Sequence, residues 1–191
     1  MSAAELPAES PAVSPPLAAD RSFWAMLVTQ FLGAFNDNVF KQLVLLVCLD
    51  YKLAGNADYQ DVAQGVFALP FVLLSGLWGW LGDRWPKRAI IVGCKVGEIV
   101  IMSLGAVALW IGGGELGQLV ALLLCVLAFM GAQSAAFGPS KYGILPELFR
   151  GGDLPKANGW VQMTTFLAII LGIVTAGTLK ANGAALPAIG A

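Results

Sequence analysis

The sequence predicts an all-α protein, a polytopic membrane helical bundle, on three observations. Only 12% of its 191 residues are charged and 58% are hydrophobic, whereas a soluble domain carries about 25% charged residues. Mean hydropathy is +0.75. The apolar residues are gathered into blocks of roughly 20, the length that crosses about 30 Å of hydrocarbon. Five spans are expected, near 23–49, 62–82, 89–111, 116–137 and 158–179.

Residues 1–21, "MSAAELPAESPAVSPPLAADR", precede the first span. A signal peptide opens with a basic region and an apolar core. This stretch, rich in Pro, Ala, Ser and acid, is instead expected to be a disordered tail. Residues 22–191 then form the bundle.

Span one carries Asn36, Asp37, Asn38 and Lys41 in an otherwise apolar run, "FLGAFNDNVFKQLVLL". An uncompensated Asp or Lys at the centre of a span costs about 2.5–3.5 kcal/mol. Asp37 lies roughly 14 residues, or ~20 Å of helix, from the start of the span. Asp37 and Lys41 are four apart, share a face and are expected to pair. Gln30, Gly33 and Ala34 continue that stripe. Such a face belongs against a cavity rather than lipid, although an ion pair pinning two helices would look the same.

Ser75, Gly76, Gly79 and Gly82 give the end of span two a small-residue face for close helix packing. Span three contains Glu98, ~15 Å deep, with Lys95 three residues before it as a local counter-ion. Facing Asp37 and Lys41 across a cavity is its alternative role. Gly93 and Gly97 in span three, and Gly172 and Gly177 in span five, are expected points of close approach. "GGGELG", 112–117, reads as a tight turn. Span four ends near Gln133 and Ser134, and Gln162, Thr164 and Thr165 open span five. Helix-packing hydrogen bonds account for these polar groups as well as ligand contacts do. "GPSKYGILPELFRGGDLPKANG", 138–159, contains three prolines and reads as a long loop. In it Leu145, Leu148 and Phe149 form an interfacial turn, and Asp153 or Asn158 caps span five. Trp24, Trp85 and Trp110 fall near span ends, where amphipathic rings belong.

Basic residues set an expected orientation. With the N-terminus inside, Arg21, Arg84, Lys87, Arg88, Lys95, Lys141, Arg150 and Lys156 fall on the cytoplasmic side, and only Lys52 and Lys180 on the other. A net charge of −1 gives no reason to expect a nucleic-acid partner. Cys48, Cys94 and Cys125 lie within spans in no ligand-like spacing, and the chain has no His, so neither a disulfide framework nor a His-containing metal site is expected. Buried, inert thiols are. No nucleophile–base set or phosphate loop is visible, so no catalytic residue, cofactor or enzyme activity is expected in this chain.

"GWLGDRWPKR", Gly79 to Arg88, resembles the signature loop of the major facilitator superfamily, G-x-L-x-D-R-x-G-R-[KR]. Gly79, Leu81, Asp83, Arg84 and Arg88 fall on the pattern, Lys87 keeps a basic residue, and Pro86 replaces a Gly and stiffens the turn. In such a loop Asp83 faces a helix N-terminus or a basic neighbour and latches one conformation, a switch. "FNDNVFK", "FGPSKYGILPEL" at 137–148 and "KANG" at 156–159 resemble, more narrowly, the lysophospholipid transporter family, over nearly all of residues 22 to 179. Gln162 stands where that family carries an acid. The resemblance implies two six-helix bundles around a central cavity, with this chain supplying most of the N-terminal half. It also implies a lysophospholipid substrate, such as lysophosphatidylethanolamine, moved across the inner membrane for re-acylation. Members also occur fused to acyltransferase and acyl–carrier-protein ligase domains. An odd span count with no domain following points to a fragment of a longer chain. In a transporter, Asp37 would take the ammonium of a zwitterionic head group and Lys41 its phosphate. Export of a drug or metabolite, or a non-transporting module beside an acyltransferase, are the other functions compatible with these residues.

Overall fold

The computed structural model describes residues 19–111, 115–149 and 152–182. The expected tail (all but its last three residues), most of the glycines of the 112–117 turn and Arg150 lie outside them. Five helices follow one another: α1 (Arg21–Leu53), α2 (Gln60–Arg84), α3 (Lys87–Ile111), α4 (Leu116–Leu148) and α5 (Leu154–Ala181). All five are long and apolar enough to cross a membrane.

Local chemistry sets their ends. Asp20 caps α1, its carboxylate accepting from the Ser22 amide at 2.8 Å. The α1–α2 link turns at Gly55, whose φ of 89° only glycine adopts at no steric cost. In this link Asp58 accepts from Lys52 Nζ at 2.7 Å and from the Gln60 amide at 3.0 Å. The Lys52 hydrogen bond, ahead of the amide, holds the Asp58 carboxyl below the usual carboxylate range. Trp85 and Pro86 alone separate α2 from α3. Pro155 opens α5, a position where the missing amide is no loss. Asp153 occupies the N-cap without a side-chain bond and Asn158 lies inside the helix, so neither caps it as expected.

The main departure from the sequence reading is α4. Its helix runs through Pro139 and Pro146 to Leu148, so the expected long loop shrinks to the few residues before α5. A proline removes one helical donor and disturbs the preceding turn. Here Ser140 Oγ donates to the Ala136 carbonyl at 3.3 Å, one residue on from the Ala135 carbonyl that would have accepted from an amide at position 139. Leu145 and Phe149 are not interfacial either. They are buried with Phe23 and Leu27 of α1 and Ala157 and Val161 of α5, holding the extended end of α4 against both.

α1 packs along α5, α2 and α3 pack along α4, and α1 meets α4 at the centre. Water drives little of this in a bilayer, so close backbone approach matters. A Cβ on Gly172 of α5 would come within 2.9 Å of the Phe35 carbonyl, and one on Gly131 of α4 would strike the Phe67 carbonyl of α2. Gly172 thus does what the sequence suggested. Gly93 and Gly177, and Gly76, Gly79 and Gly82 of α2, have nothing within reach of an added Cβ. Among the described residues the small face of α2 is unpartnered, and Ala63 is the only residue of that helix that is buried.

Two apolar clusters frame the bundle. One holds Phe40, Val44, Cys48, Leu123, Leu127 and Met130 with their neighbours. The other gathers the opposite ends of α1, α4 and α5. Between them, from Gln30 to Asp37 on α1 and from Gln133 to Lys141 on α4, lies a layer rich in polar groups. Cys48 and Cys94 are buried as expected, but Cys125 is exposed on the outer face of α4.

Candidate functional site

Asp37 is the centre of the polar layer. Its Oδ2 accepts from Ser134 Oγ of α4 at 3.1 Å, while its Oδ1 is buried and has no hydrogen-bond partner. No ion pair joins it to Lys41, contrary to expectation. The Lys41 ammonium turns toward α2 and lies 5.2 Å from the Phe67 ring centroid, a cation–π contact. Sharing a helix face brings two side chains near each other, but a better partner on a neighbouring helix can take either one.

The asparagines do not complete a four-residue cluster. At 3.6 residues per turn, Asn36 and Asn38 point about 100° to either side of Asp37. Asn38 Nδ2 donates to the Ala34 carbonyl at 2.7 Å, and its Cβ faces Gly172 of α5. Asn36 is half-buried and makes no hydrogen bond among the described residues.

From α3 the layer receives Lys95 and Glu98, joined at 2.6 Å. Glu98 is only 8% exposed. The Lys95 ammonium sits 4.6 Å from the Phe137 ring centroid and occupies the space that a side chain at Gly33 would need. Lys95, Glu98 and Lys41 all lie within electrostatic range of Asp37. Glu98 is therefore locally neutralised by Lys95, as expected, and lies in the same layer as Asp37, while Lys41 is turned toward α2. Gln133 Nε2 donates to the Cys94 carbonyl at 3.0 Å and pins α3 to α4, while its Oε1 is buried and unpartnered.

Gln162 stands apart. It is exposed on α5 beside Val161, which packs with Leu27, so about three turns separate it from Asp37. The polar contact from α5 comes from Thr165, whose Oγ1 accepts from Gln30 Nε2 at 3.0 Å and donates to the Val161 carbonyl at 2.7 Å. Gln30 is 6% exposed and its Oε1 has no partner.

Lys141 is a residue that the sequence reading placed on the cytoplasmic flank. Because α4 continues past Pro139, its side chain is carried between the helices and is 8% exposed. Lys141 and Gln30 line a cavity of about 210 Å³ between α1, α3 and α4, whose remaining walls include Met26, Ile91, Phe137 and Ile144. With Lys95 in the third turn of α3, two of the eight lysines and arginines assigned to that flank belong to the interior. A wider groove of about 440 Å³ opens between α3 and α4 near Leu122, Cys125 and Phe129, far along α4 from this chemistry.

At the α2–α3 link the Arg84 guanidinium stacks 4.3 Å from the Trp80 ring centroid. The stem of Lys87 lies against Gly143 of α4, where a Cβ would come 3.1 Å from Lys87 Cε. Gly79 and Leu81 are half-buried, and Asp83 and Arg88 are exposed. Asp83 makes no hydrogen bond or ion pair among the described residues, so the latch expected of it is not formed within them.

The comparisons with known proteins agree with this architecture. The lysophospholipid transporter LplT of Photorhabdus laumondii is 34% identical over 162 residues, covering 84% of this chain and 37% of that protein. LplT of Cronobacter sakazakii is 35% identical over 164 residues, 83% of this chain and 36% of its own length. LplT of Escherichia coli O1:K1 is 34% identical over 161 residues, 81% and 36% respectively. The chain thus spans a little over a third of the length of the curated relatives it matches. No solved structure matches it. Residues 23–184 match the Major Facilitator Superfamily. Five membrane-length helices around a polar layer, with the α2–α3 link carrying the superfamily's motif, are therefore part of a multi-pass membrane protein, and the chain belongs to the Major Facilitator Superfamily.

Proposed function

We propose that this chain supplies the first bundle of a secondary transporter working by alternating access, and that its substrate is a lysophospholipid such as lysophosphatidylethanolamine. The observation that carries this reading is Asp37 Oδ1, a buried carboxylate oxygen beside a layer of polar groups, with no donor of its own. An unmet buried acceptor costs about 1–3 kcal/mol, and more when charged. The N–H groups of an ethanolamine ammonium supply the missing donor as a charge-assisted bond. The names of the similar proteins support a lysophospholipid as that guest.

The rest of the reading follows from the same residues. Residues 1–21 form a cytoplasmic tail and 22–191 the bundle, set in the inner membrane with the N-terminus inside. Arg21, Arg84, Lys87, Arg88 and Lys156 flank its cytoplasmic end. The second bundle, which closes the cavity, lies in a longer parent chain, and the unpartnered glycine face of α2 is available to it. The loop from Gly79 to Arg88 acts as the conformational switch, Asp83 finding its partner there. Gln133 and Glu98 border the binding layer. Re-acylation of the lipid belongs to a fused or separate acyltransferase, and this chain performs no chemistry itself.

The test is uptake of radiolabelled lysophosphatidylethanolamine into vesicles carrying the full-length protein. Uptake above protein-free vesicles, competed by unlabelled lysophospholipid, is expected. Absence of uptake in correctly inserted protein, or transport of a drug in its place, refutes the assignment.

A further inference from the structure

Lys95 holds a place in the site that its pairing with Glu98 does not explain. An ion pair that only neutralised Glu98 would need no notch in another helix. Yet the Lys95 ammonium reaches across to α1 and fills the space left by Gly33, one turn before Asp37 on the same face. The Glu98 oxygens lie 3.5 and 3.6 Å from where a Gly33 Cβ would stand. One turn of helix is about 5.4 Å, a distance that a flexible four-carbon lysine stem covers by changing rotamer.

The cavity is on this side of Asp37. From Phe40 onward, α1 enters the packed cluster that includes Val44 and Val47. On the Gly33 side, Phe137 carries the Lys95 ammonium on its ring and forms a wall of the 210 Å³ cavity. A head group whose ammonium sits on Asp37 Oδ1 has its phosphate two carbons away. Its acyl chain needs apolar walls, which Met26, Ile91 and Ile144 provide. Building on the transport reading above, we infer that Lys95, rather than Lys41, receives the phosphate of the lysophospholipid head group. Glu98 is then a positioning residue that holds the ammonium in the Gly33 notch until a phosphate displaces it.

A helix-pinning role and this one respond in opposite ways to Glu98→Gln. Purified full-length protein is titrated, by tryptophan fluorescence, with lysophosphatidylethanolamine and with monoacylglycerol of the same chain length. Wild type prefers lysophosphatidylethanolamine by about a hundredfold or more, the value of two charge-assisted contacts, ammonium on Asp37 and phosphate on Lys95. Glu98→Gln releases Lys95 and raises that preference severalfold. The double variant Lys95→Met, Glu98→Met removes both charges without leaving one buried alone, and the preference falls by about tenfold or more, to what the Asp37–ammonium contact alone sustains, while monoacylglycerol still binds. A lowered preference in Glu98→Gln overturns the inference. So does a double variant that keeps the preference while Lys41→Met loses it. A wild type that binds both lipids equally overturns the transport reading itself, and this assignment with it.

Discussion

Replacing Asp37 by Asn separates what this residue does for the fold from what it does for a guest. The two side chains have nearly the same shape, and the amide keeps an acceptor for the Ser134 hydroxyl that now lies 3.1 Å from the carboxylate. What changes is the other oxygen, buried and unpartnered in wild type. Its place is taken by a neutral amide nitrogen that cannot form a charge-assisted bond with an ammonium. Hydrogen bonds to charged groups contribute about 1.5–3 kcal/mol, so guest affinity should fall by roughly 10- to 150-fold. Stability should move the other way, because burying an uncompensated Asp at mid-span costs about 2.5–3.5 kcal/mol and the substitution removes part of it. The assay is paired: uptake of lysophosphatidylethanolamine into vesicles, and thermal unfolding of the same purified protein. The expected result is a protein at least as stable as wild type that transports poorly. Normal transport at normal expression, or a protein that loses stability in step with transport, would show that Asp37 serves the fold alone.

Further outcomes follow from particular contacts. Ser134→Ala removes the one side-chain donor to Asp37 among the described residues and should weaken lysophosphatidylethanolamine binding by about 1 kcal/mol, roughly fivefold, without loss of expression; an unchanged titration contradicts this. Gly172→Ala should lower the melting temperature through an overpacking cost of about 1–3 kcal/mol, because its Cβ would press on the Phe35 carbonyl. Gly177→Ala, with open space around it, should leave the melting temperature unchanged or raise it slightly. Lys180 Nζ lies 2.6 Å from Asp50 Oδ1 and 3.1 Å from the Leu46 carbonyl, tying α5 to α1 at the end away from the N-terminus. Lys180→Met should cost about 1 kcal/mol for this part-exposed pair. A charge swap, Asp50→Lys with Lys180→Asp, should restore part of the melting temperature.

How much of this was legible in the sequence depended on whether the governing signal was local. Five apolar runs of membrane length became five helices, with ends a few residues longer because Asp20, Pro155 and the link residues place the caps. The end of α4 was not legible. Pro139 and Pro146 look like breakers, and what holds the helix end in place is the burial of Leu145 against α1 and α5. That error moved Lys141 from the cavity to a loop. That Asp37 would turn toward polar groups of a neighbouring helix was readable from its cost in lipid, but its partner was not. The i,i+4 rule offered Lys41, while the fold offered Ser134, 97 residues away. The notch at Gly33 was equally hidden, since a glycine carries no mark of which side chain from another helix will fill it.

The central claim is that Asp37 borders a pocket that water reaches and a lysophospholipid occupies. Asp37→Cys, in full-length protein with Cys48, Cys94 and Cys125 replaced, tests it directly through the rate of modification by a small, charged, membrane-impermeant thiol reagent. The predicted result is modification that slows in proportion to added lysophosphatidylethanolamine. A thiol that resists the reagent with and without lipid, or that reacts at a rate the lipid does not change, would contradict the account.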